Sequence, residues 1–173
     1  MNNETQIALI HEIADILASV TIRWWLFGGW AMDTHLGRIT RTHRDVEFWV
    51  HRSHAARVRN MLGSHTFEAL DTQPDEESIE FERGSVRFSS AFFTIGPDGF
   101  ASPDGRWSDW RFPPGSFAED VAPLGDRLVP VMGVVGLLAM KEQYPTLRNG
   151  RPLREKDASD ILLLRELVQS TRT

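Results

Sequence analysis

The chain has 173 residues, no cysteine, and 19 Lys+Arg against 24 Asp+Glu, a formal charge of -5. That length suits one domain with a short helical appendage; the missing thiols exclude disulfides, thiolate metal sites and a cysteine nucleophile, and the acidic balance opposes general affinity for a phosphate backbone. The 6 Trp and 10 Phe argue for a packed core or an aromatic-walled pocket, and with no basic leader and no apolar run of roughly 18 residues we expect a cytoplasmic protein that meets neither membrane nor nucleic acid.

Ile7, Ile10, Ala14 and Leu17 recur at helical spacing, so the chain is expected to open with an amphipathic helix capped by Asn3. Residues 23–27 are short, aromatic and closed by Gly28-Gly29, the pattern of a buried strand ending in a tight turn. A second helix is expected from Trp30 to Gly37. Residues 45–50 alternate, with Val46, Phe48 and Val50 on one strand face and Asp45, Glu47 and Trp49 on the other. Ser53 is placed to cap a helix carrying Ala55, Val58, Met61 and Leu62, which Gly63 ends. The acidic run 68–77 reads as loop, and 79–82 with 86–95, joined through Arg83-Gly84, read as an antiparallel hairpin. Repeated Pro-Asp-Gly and Pro-Pro-Gly turns then leave only short extended pieces at 106–112 and 128–131. Two helices close the chain, at 133–144 and at 155–169, the second with Ile161, Leu164 and Val168 on one face.

The residues best suited to chemistry gather at 27–47. Gly28-Gly29 between a strand and a helix lets backbone N–H groups approach an anion, and the positive helix end favours phosphate; an isolated glycine pair serves tight packing equally well. Asp45 and Glu47, two apart on a strand, have Cα atoms roughly 6–7 Å apart on one face. Their carboxylates can converge on Mg²⁺, which takes hard oxygen ligands and shares them with substrate phosphates; the competing reading is a solvated acidic face. Arg38, Arg41, His43 and Arg44 between them suit a triphosphate. Arg41 could grip phosphate oxygens and stabilise a departing pyrophosphate, while His43 adds a donor or orders the loop. Arg44 suits a simple ion pair, and Asp33 is expected to brace the loop through backbone N–H groups.

Taken together, Phe27-Gly28-Gly29-Trp30-Ala31-Met32-Asp33 and Gly37-Arg38-Ile39-Thr40-Arg41-Thr42-His43-Arg44-Asp45-Val46-Glu47 resemble the small aminoglycoside and lincosamide nucleotidyltransferases (adenylyltransferases) of the DNA polymerase β-type superfamily. Weaker similarity runs through the hairpin into Glu155-Lys156-Asp157-Ala158-Ser159-Asp160, which resembles the family's C-terminal Lys-Asp-x-x-Asp helix start. The resemblance implies an α+β nucleotidyltransferase fold, a small mixed sheet flanked by helices, with a catalytic domain at 1–131 and a C-terminal helical segment at 132–173 packed on it. It implies Mg²⁺-dependent transfer of a nucleoside monophosphate, AMP from ATP, to a hydroxyl of a small molecule such as an aminoglycoside or lincosamide antibiotic, with release of pyrophosphate. By the same analogy Gly28, Gly29, Arg41 and His43 bind the nucleotide, and Asp45 and Glu47 bind Mg²⁺ and carry catalysis.

One departure stands out. The family places a third carboxylate on the strand after the hairpin, whereas Val86-Arg87-Phe88-Ser89-Ser90-Ala91-Phe92-Phe93 contains no acid and puts Arg87 or Ser89 there. A guanidinium neither takes a proton nor binds Mg²⁺. Glu80 or Glu82 on the partner strand could substitute if their shared face is the cleft, and Glu82 is the candidate third catalytic residue; an exposed hairpin edge is the competing reading. The missing acid also raises a second function, a catalytically impaired nucleotide-binding or regulatory protein on the same scaffold. His51 and His54 lack further ligands for zinc. Lys141 could reach a phosphate or form a salt bridge, and Trp107, Trp110 and Phe112 could wall an acceptor pocket or belong to the core. The acidic run 68–82 would suit a cationic aminoglycoside.

Overall fold

The alternating run after Asp45 forms the central strand β2 (Glu47–His51), around which the sheet is laid out. The computed structural model describes residues 2–72, 77–147 and 150–170. In chain order these give α1 (Asn3–Ser19), β1 (Trp24–Leu26), α2 (Gly28–Leu36), β2, α3 (Ala55–Ser64), β3 (Glu68–Leu70), β4 (Ser78–Arg83), β5 (Val86–Ile95), β6 (Ala101–Pro103), β7 (Val121–Leu124), β8 (Arg127–Pro130), α4 (Val134–Leu147) and α5 (Glu155–Ser170). The main sheet runs β1-β2-β5-β4-β3, with β6 pairing β5. Only β2 and β5 are parallel neighbours, and the other pairs are antiparallel. The fold is therefore α+β, with a mixed sheet, flanking helices and a C-terminal pair of helices. No helix of the described residues is long and apolar enough to cross a membrane.

Several local expectations are corrected. Asn2, not Asn3, caps α1 by accepting from the Thr5 N–H; Asn3 is drawn off to hold the 41–43 loop. α2 begins at Gly28 rather than Trp30, because the extended Phe27 serves as its N-cap. Ser53 sits inside a 3₁₀ turn, Arg52–His54, where its hydroxyl meets His51 Nδ1 at 2.8 Å, so it does not cap α3. Within the acidic run, Glu68–Leu70 is the edge strand β3, pairing Glu68 with Glu82 and Leu70 with Glu80. Backbone pairing with β4 overrides the low strand propensity of glutamate there. Residues 73–76 of that run lie outside the described residues. The stretch 106–112 forms no strand, since Gly105–Trp107 is a 3₁₀ turn, whereas β7 pairs with β8 as a hairpin that the sequence signalled only in its second half.

Each sheet face is settled by alternation. On one, Phe48, Phe81 and Phe88 stack with centroids 6.0 and 5.2 Å apart, and Phe67 meets Phe88 edge-on at 4.9 Å. On the other, the proline- and glycine-rich segment after β6 folds back so that Phe117 stacks on Phe93 at 3.9 Å and Phe112 meets Trp49 edge-on at 5.3 Å. Aromatic contacts of this kind add to the gain from burial. Leu137 and Met140 of α4 and Leu164 of α5 join the same core.

Phe48→Ala is expected to lower the unfolding free energy by about 3–5 kcal/mol, measured by urea denaturation. Leu162→Ala on α5, where the side chain is 62% exposed, should change it by less than about 0.5 kcal/mol.

Candidate active site

The turn from β1 into α2 is built on its glycines. Gly28 has φ +70, and a Cβ there would come within 2.8 Å of Glu47 Oε2. At Gly29 a Cβ would lie 2.5 Å from His43 Nδ1. The pair thus does more than tighten a turn: it lets the Glu47 carboxylate and the His43 ring close onto the first turn of α2. Phe27 supplies no side-chain cap, and Gly28 and Gly29 both line the adjoining cleft. A helix start of this kind offers backbone N–H groups to an anion.

The loop from Gly37 to Glu47 is held from beneath. Asp33 accepts from the Thr40 N–H at 3.0 Å and the Thr40 hydroxyl at 2.6 Å, and its carboxylate meets His43 Nε2 at 2.6 Å. Asp33 therefore braces the loop as expected, and it also fixes the His43 ring. From α1, Asn3 donates to the Arg41 carbonyl and accepts from the His43 N–H, both at 3.0 Å. Gln6 donates to the His43 carbonyl at 3.0 Å and accepts from Trp30 Nε1 at 2.6 Å. His43 is nearly closed to solvent and lies against Trp30, with ring centroids 4.4 Å apart.

A polar cleft of about 540 Å³ opens over this turn and gathers Gly28, Gly29, Arg41, His43, Asp45 and Glu47 on one wall. Its other wall carries Lys141 from α4 together with Arg154 and Lys156 at the start of α5. Sequence reasoning gave Arg154 and Lys156 no role and left Lys141 between two. The signal was the Lys156-Asp157-x-x-Asp160 run, whose two acids sit under the cations. Asp160 accepts both arms of the Arg41 guanidinium, at 2.7 and 2.9 Å, and the Lys141 ammonium at 2.6 Å. Asp157 takes Lys141 at 3.2 Å and Arg154 at 2.5 and 2.9 Å.

Burial is the largest single influence on the Asp157 carboxyl and opposes its ionisation, yet the hydrogen bonds from Arg154 and the charge of Lys141 outweigh it and hold it at about 2. Asp160 is depressed likewise, burial being overcome by the bonds from Arg41 and Lys141. Both carboxyls bind protons less readily folded than unfolded, so this contribution to stability is complete above the ordinary aspartate value of 3.8 and is lost as pH falls towards 2. Lys156 is pulled below the usual lysine range, first by burial and then by repulsion from Arg154 and Lys141. A polyanion in the cleft would relieve that repulsion.

Glu47 behaves oppositely. Burial first, and the neighbouring charge of Asp45 second, push its carboxyl up to about 7 despite the pull of Lys141, Lys156 and Arg154. Stability is therefore lost as pH rises from the ordinary value of 4.5 through about 7, a cost that a cation held between Asp45 and Glu47 would reduce. No group of three or more His, Cys, Asp or Glu with metal-holding geometry occurs among the described residues. Two adjacent carboxylates with few other protein ligands suit Mg²⁺, which completes its shell with waters and phosphate oxygens. The residues present fit that ion.

Glu47 also lines a second cavity, of about 290 Å³, walled by Phe27, Trp49, Trp107, Trp110 and Met140. Trp107 and Trp110 thus wall a pocket, whereas Phe112 is core. The register pairs Ser89 with Glu47 on one side and with Glu80 on the other, so Ser89 stands where the third carboxylate was sought, and Glu80 and Glu82 share the Glu47 face. Neither acid lines either cavity. Glu82 is held by Arg87, its cross-strand neighbour, and Glu80 by the Thr72 hydroxyl. The structure does not bring Glu82 to the cleft, because the pairing across β4 and β5 turns it to its own neighbour. His51 and His54 face each other at 6.5 Å, with no third ligand among the described residues.

Asp160→Asn should lower the unfolding free energy by about 3 kcal/mol, by leaving buried cations under-compensated, and should shift acid unfolding to higher pH. Thermal melts should also show Mg²⁺ stabilising the protein more at about pH 8 than at about pH 6, because the metal competes with the Glu47 proton at the lower pH.

Comparison with known proteins fits this geometry. A family model described as aminoglycoside-2''-adenylyltransferase matches residues 9–164. Over 70 residues the chain is 37% identical to a 2''-aminoglycoside nucleotidyltransferase of Escherichia coli and to one of Klebsiella pneumoniae. That stretch spans 39% of this chain and 40% of the length of those curated relatives. Among solved structures, ANT(2'')-Ia in complex with adenylyl-2''-tobramycin shares the fold with a TM-score of 0.76 and 19% identity, over 97% of this chain and 92% of that one. The lincosamide antibiotic adenylyltransferase LnuA, lincomycin-bound, does so with a TM-score of 0.65 and 21% identity, over 91% and 95%. With the family model covering all but the ends of the sequence, this chain belongs to the aminoglycoside-2''-adenylyltransferase family.

Proposed function

We propose that the protein is a Mg²⁺-dependent nucleotidyltransferase that moves AMP from ATP onto a hydroxyl of a small antibiotic, an aminoglycoside or a lincosamide, with release of pyrophosphate. The observation that carries this reading is the position of Glu47, which lines both the cation-walled cleft and the aromatic pocket. A nucleotide in the first and an acceptor in the second would meet at its carboxylate. Family membership and the bound antibiotics named for the fold relatives support a small antibiotic as acceptor.

In this mechanism the Gly28 and Gly29 N–H groups receive a phosphate at the start of α2. Arg41 and His43, fixed by Asp160 and Asp33, orient the triphosphate, while Lys141, Arg154 and Lys156 balance the charge that gathers on pyrophosphate as it leaves. Asp45 and Glu47 would hold Mg²⁺, which when bound neutralises phosphate charge. The aromatic walls keep the acceptor oxygen in line with the bond that breaks, so catalysis rests on positioning and charge balance.

Ser89 favours a second reading, a nucleotide-binding protein without turnover, because no carboxylate stands opposite Glu47 on β5. Incubation with Mg²⁺, ATP and a panel of aminoglycosides and lincosamides separates the two. Pyrophosphate release with a product heavier by one AMP supports transfer; Mg-ATP binding with no product across the panel supports the second reading. Asp45→Asn and Glu47→Gln should each lower turnover by about a thousandfold while leaving the melting midpoint within about 3 °C. Full activity in the double variant would remove the metal assignment.

A further inference from the structure

The aromatic pocket is roofed by a segment whose backbone the fold holds only at its two ends. Asp104 N–H donates to the Phe92 carbonyl at 3.0 Å, and Phe112 N–H to the Ala101 carbonyl at 2.9 Å. Between them, among the described residues, the backbone bonds of 105–111 stay inside the segment: Ser108 N–H to the Gly105 carbonyl at 3.1 Å and Trp110 N–H to the Trp107 carbonyl at 2.9 Å. Its two tryptophans line the pocket and are only half-buried. Trp110 meets the Phe112 ring at 4.5 Å and packs on the edge of the core. Trp107 joins neither the core nor the side chains packed on it among the described residues. A large ring that stands over a cavity without core contacts has to be held there by something else.

Glu77 does so from the sheet side. Its carbonyl accepts from the Phe92 N–H of β5 at 3.1 Å, which fixes its backbone to the pocket floor. Its carboxylate accepts from Arg106 four times: from the backbone N–H at 3.2 Å, from Nε at 2.8 and 2.9 Å, and from Nη2 at 2.7 Å. Gly105, at φ +70, lets the turn press onto that side chain, since a Cβ there would lie 2.2 Å from Glu77 Cγ. The segment's other ion pair, Arg111 with Asp98 at 2.6 Å, ties down the end that Phe112 already anchors. The Arg106 side chain is 56% exposed, and ion pairs that water can reach are individually weak. The space beneath is also small. At about 290 Å³ it stands at the foot of the range of about 300–1,000 Å³ that sites for drug-sized molecules occupy, so a molecule of that size fills it only if the roof moves.

We infer that residues 105–111 are a flap over the aromatic pocket, pivoting between Gly105 and Phe112 and latched shut by Glu77 and Arg106, and that release of the latch admits the acceptor. The inference rests on the transferase reading for what enters; the latched flap itself is a property of the fold. Glu77 and Arg106 are positioning residues in this scheme, acting through Trp107 and Trp110. When they part, the bonds at Asp104 and Phe112 remain and the sheet floor is undisturbed. Segments with few outside bonds open at lower cost than the elements around them, and short pivots at element ends absorb such motion. No flap residue lines the cation-walled cleft, so nucleotide binding is independent of the latch.

Amide hydrogen exchange on the full chain tests the flap without any ligand. In Arg106→Gln the N–H groups of residue 106, Ser108 and Trp110 should exchange about fivefold faster than in wild type, while those of Asp104 and Phe112 stay within about twofold. Unchanged exchange at 106–110, or an equal rise at Asp104 and Phe112, overturns the proposal. A lock tests the gate. The chain has no cysteine, and the close approach of Gly105 to Glu77 puts Glu77→Cys with Gly105→Cys within reach of a disulfide. Oxidised, this variant should lose at least about tenfold in pyrophosphate release with Mg-ATP and tobramycin or lincomycin, and recover it on reduction. Its Mg-ATP affinity by calorimetry should stay within about twofold in both states. Full turnover in the oxidised form overturns the gate; where the cysteine pair does not fold, the exchange pattern of Arg106→Gln decides alone. The expected exchange pattern in a wild type that adenylylates neither antibiotic would defeat the transferase reading and leave the flap standing. Turnover by a wild type whose exchange fails the pattern would do the reverse.

Discussion

Asp160 accepts both arms of Arg41 and the ammonium of Lys141 at a side chain that is 1% exposed. Taking such charges out of water is expensive, and the arrangement holds only because every partner is placed by a different element. Arg41 comes from the glycine-to-carboxylate loop, Lys141 from α4 and Asp160 from α5, so one carboxylate fixes the C-terminal helices against the first third of the chain. Asp157 repeats the device with Lys141 and Arg154. Were α5 displaced, the cleft would lose its far wall and Arg41 its orientation.

This network also sets the electrostatics. Two buried aspartates offset part of the positive charge of Arg41, Lys141 and Arg154, and Lys156 adds to what remains on the cleft wall. The near wall holds Asp45 and Glu47, and burial of Glu47, with the neighbouring charge of Asp45 second, raises the Glu47 carboxyl to about 7. Cations on one side and two neighbouring carboxyls on the other are what a polyanion bound with a divalent cation would balance at once.

The second cavity owes its existence to segments with little secondary structure. The turns after β6 carry Trp107 and Trp110 over the sheet face that bears Trp49 and Ala91, while Phe112 and Phe117 anchor the segment in the core. A rigid sheet floor under a loop roof lets the lining of this cavity vary without disturbing the cleft beside it. The two cavities share Glu47 in their linings.

By itself the sequence determined much of the near wall. The spacing of Gly28 and Gly29 before a helix, and of Asp45 and Glu47 on an alternating strand, is local information, because helix and strand periodicity fix which side chains share a face. The hairpin of β4 and β5 and the two closing helices were legible for the same reason. Caps and short strands were not: Asn2 and Asn3 are both good caps, and only the pull of Arg41 and His43 on Asn3 decided between them. Whether Glu82 serves the cleft depended on pairing across β4 and β5, a contact local pattern does not specify, and Arg87 took it. The far wall of cations, the clamp at Asp160 and the aromatic pocket join residues more than a hundred positions apart or loops without periodicity. Tertiary structure decided those, since burial and charge pairing are properties of neighbours in space, whereas sequence reports neighbours along the chain.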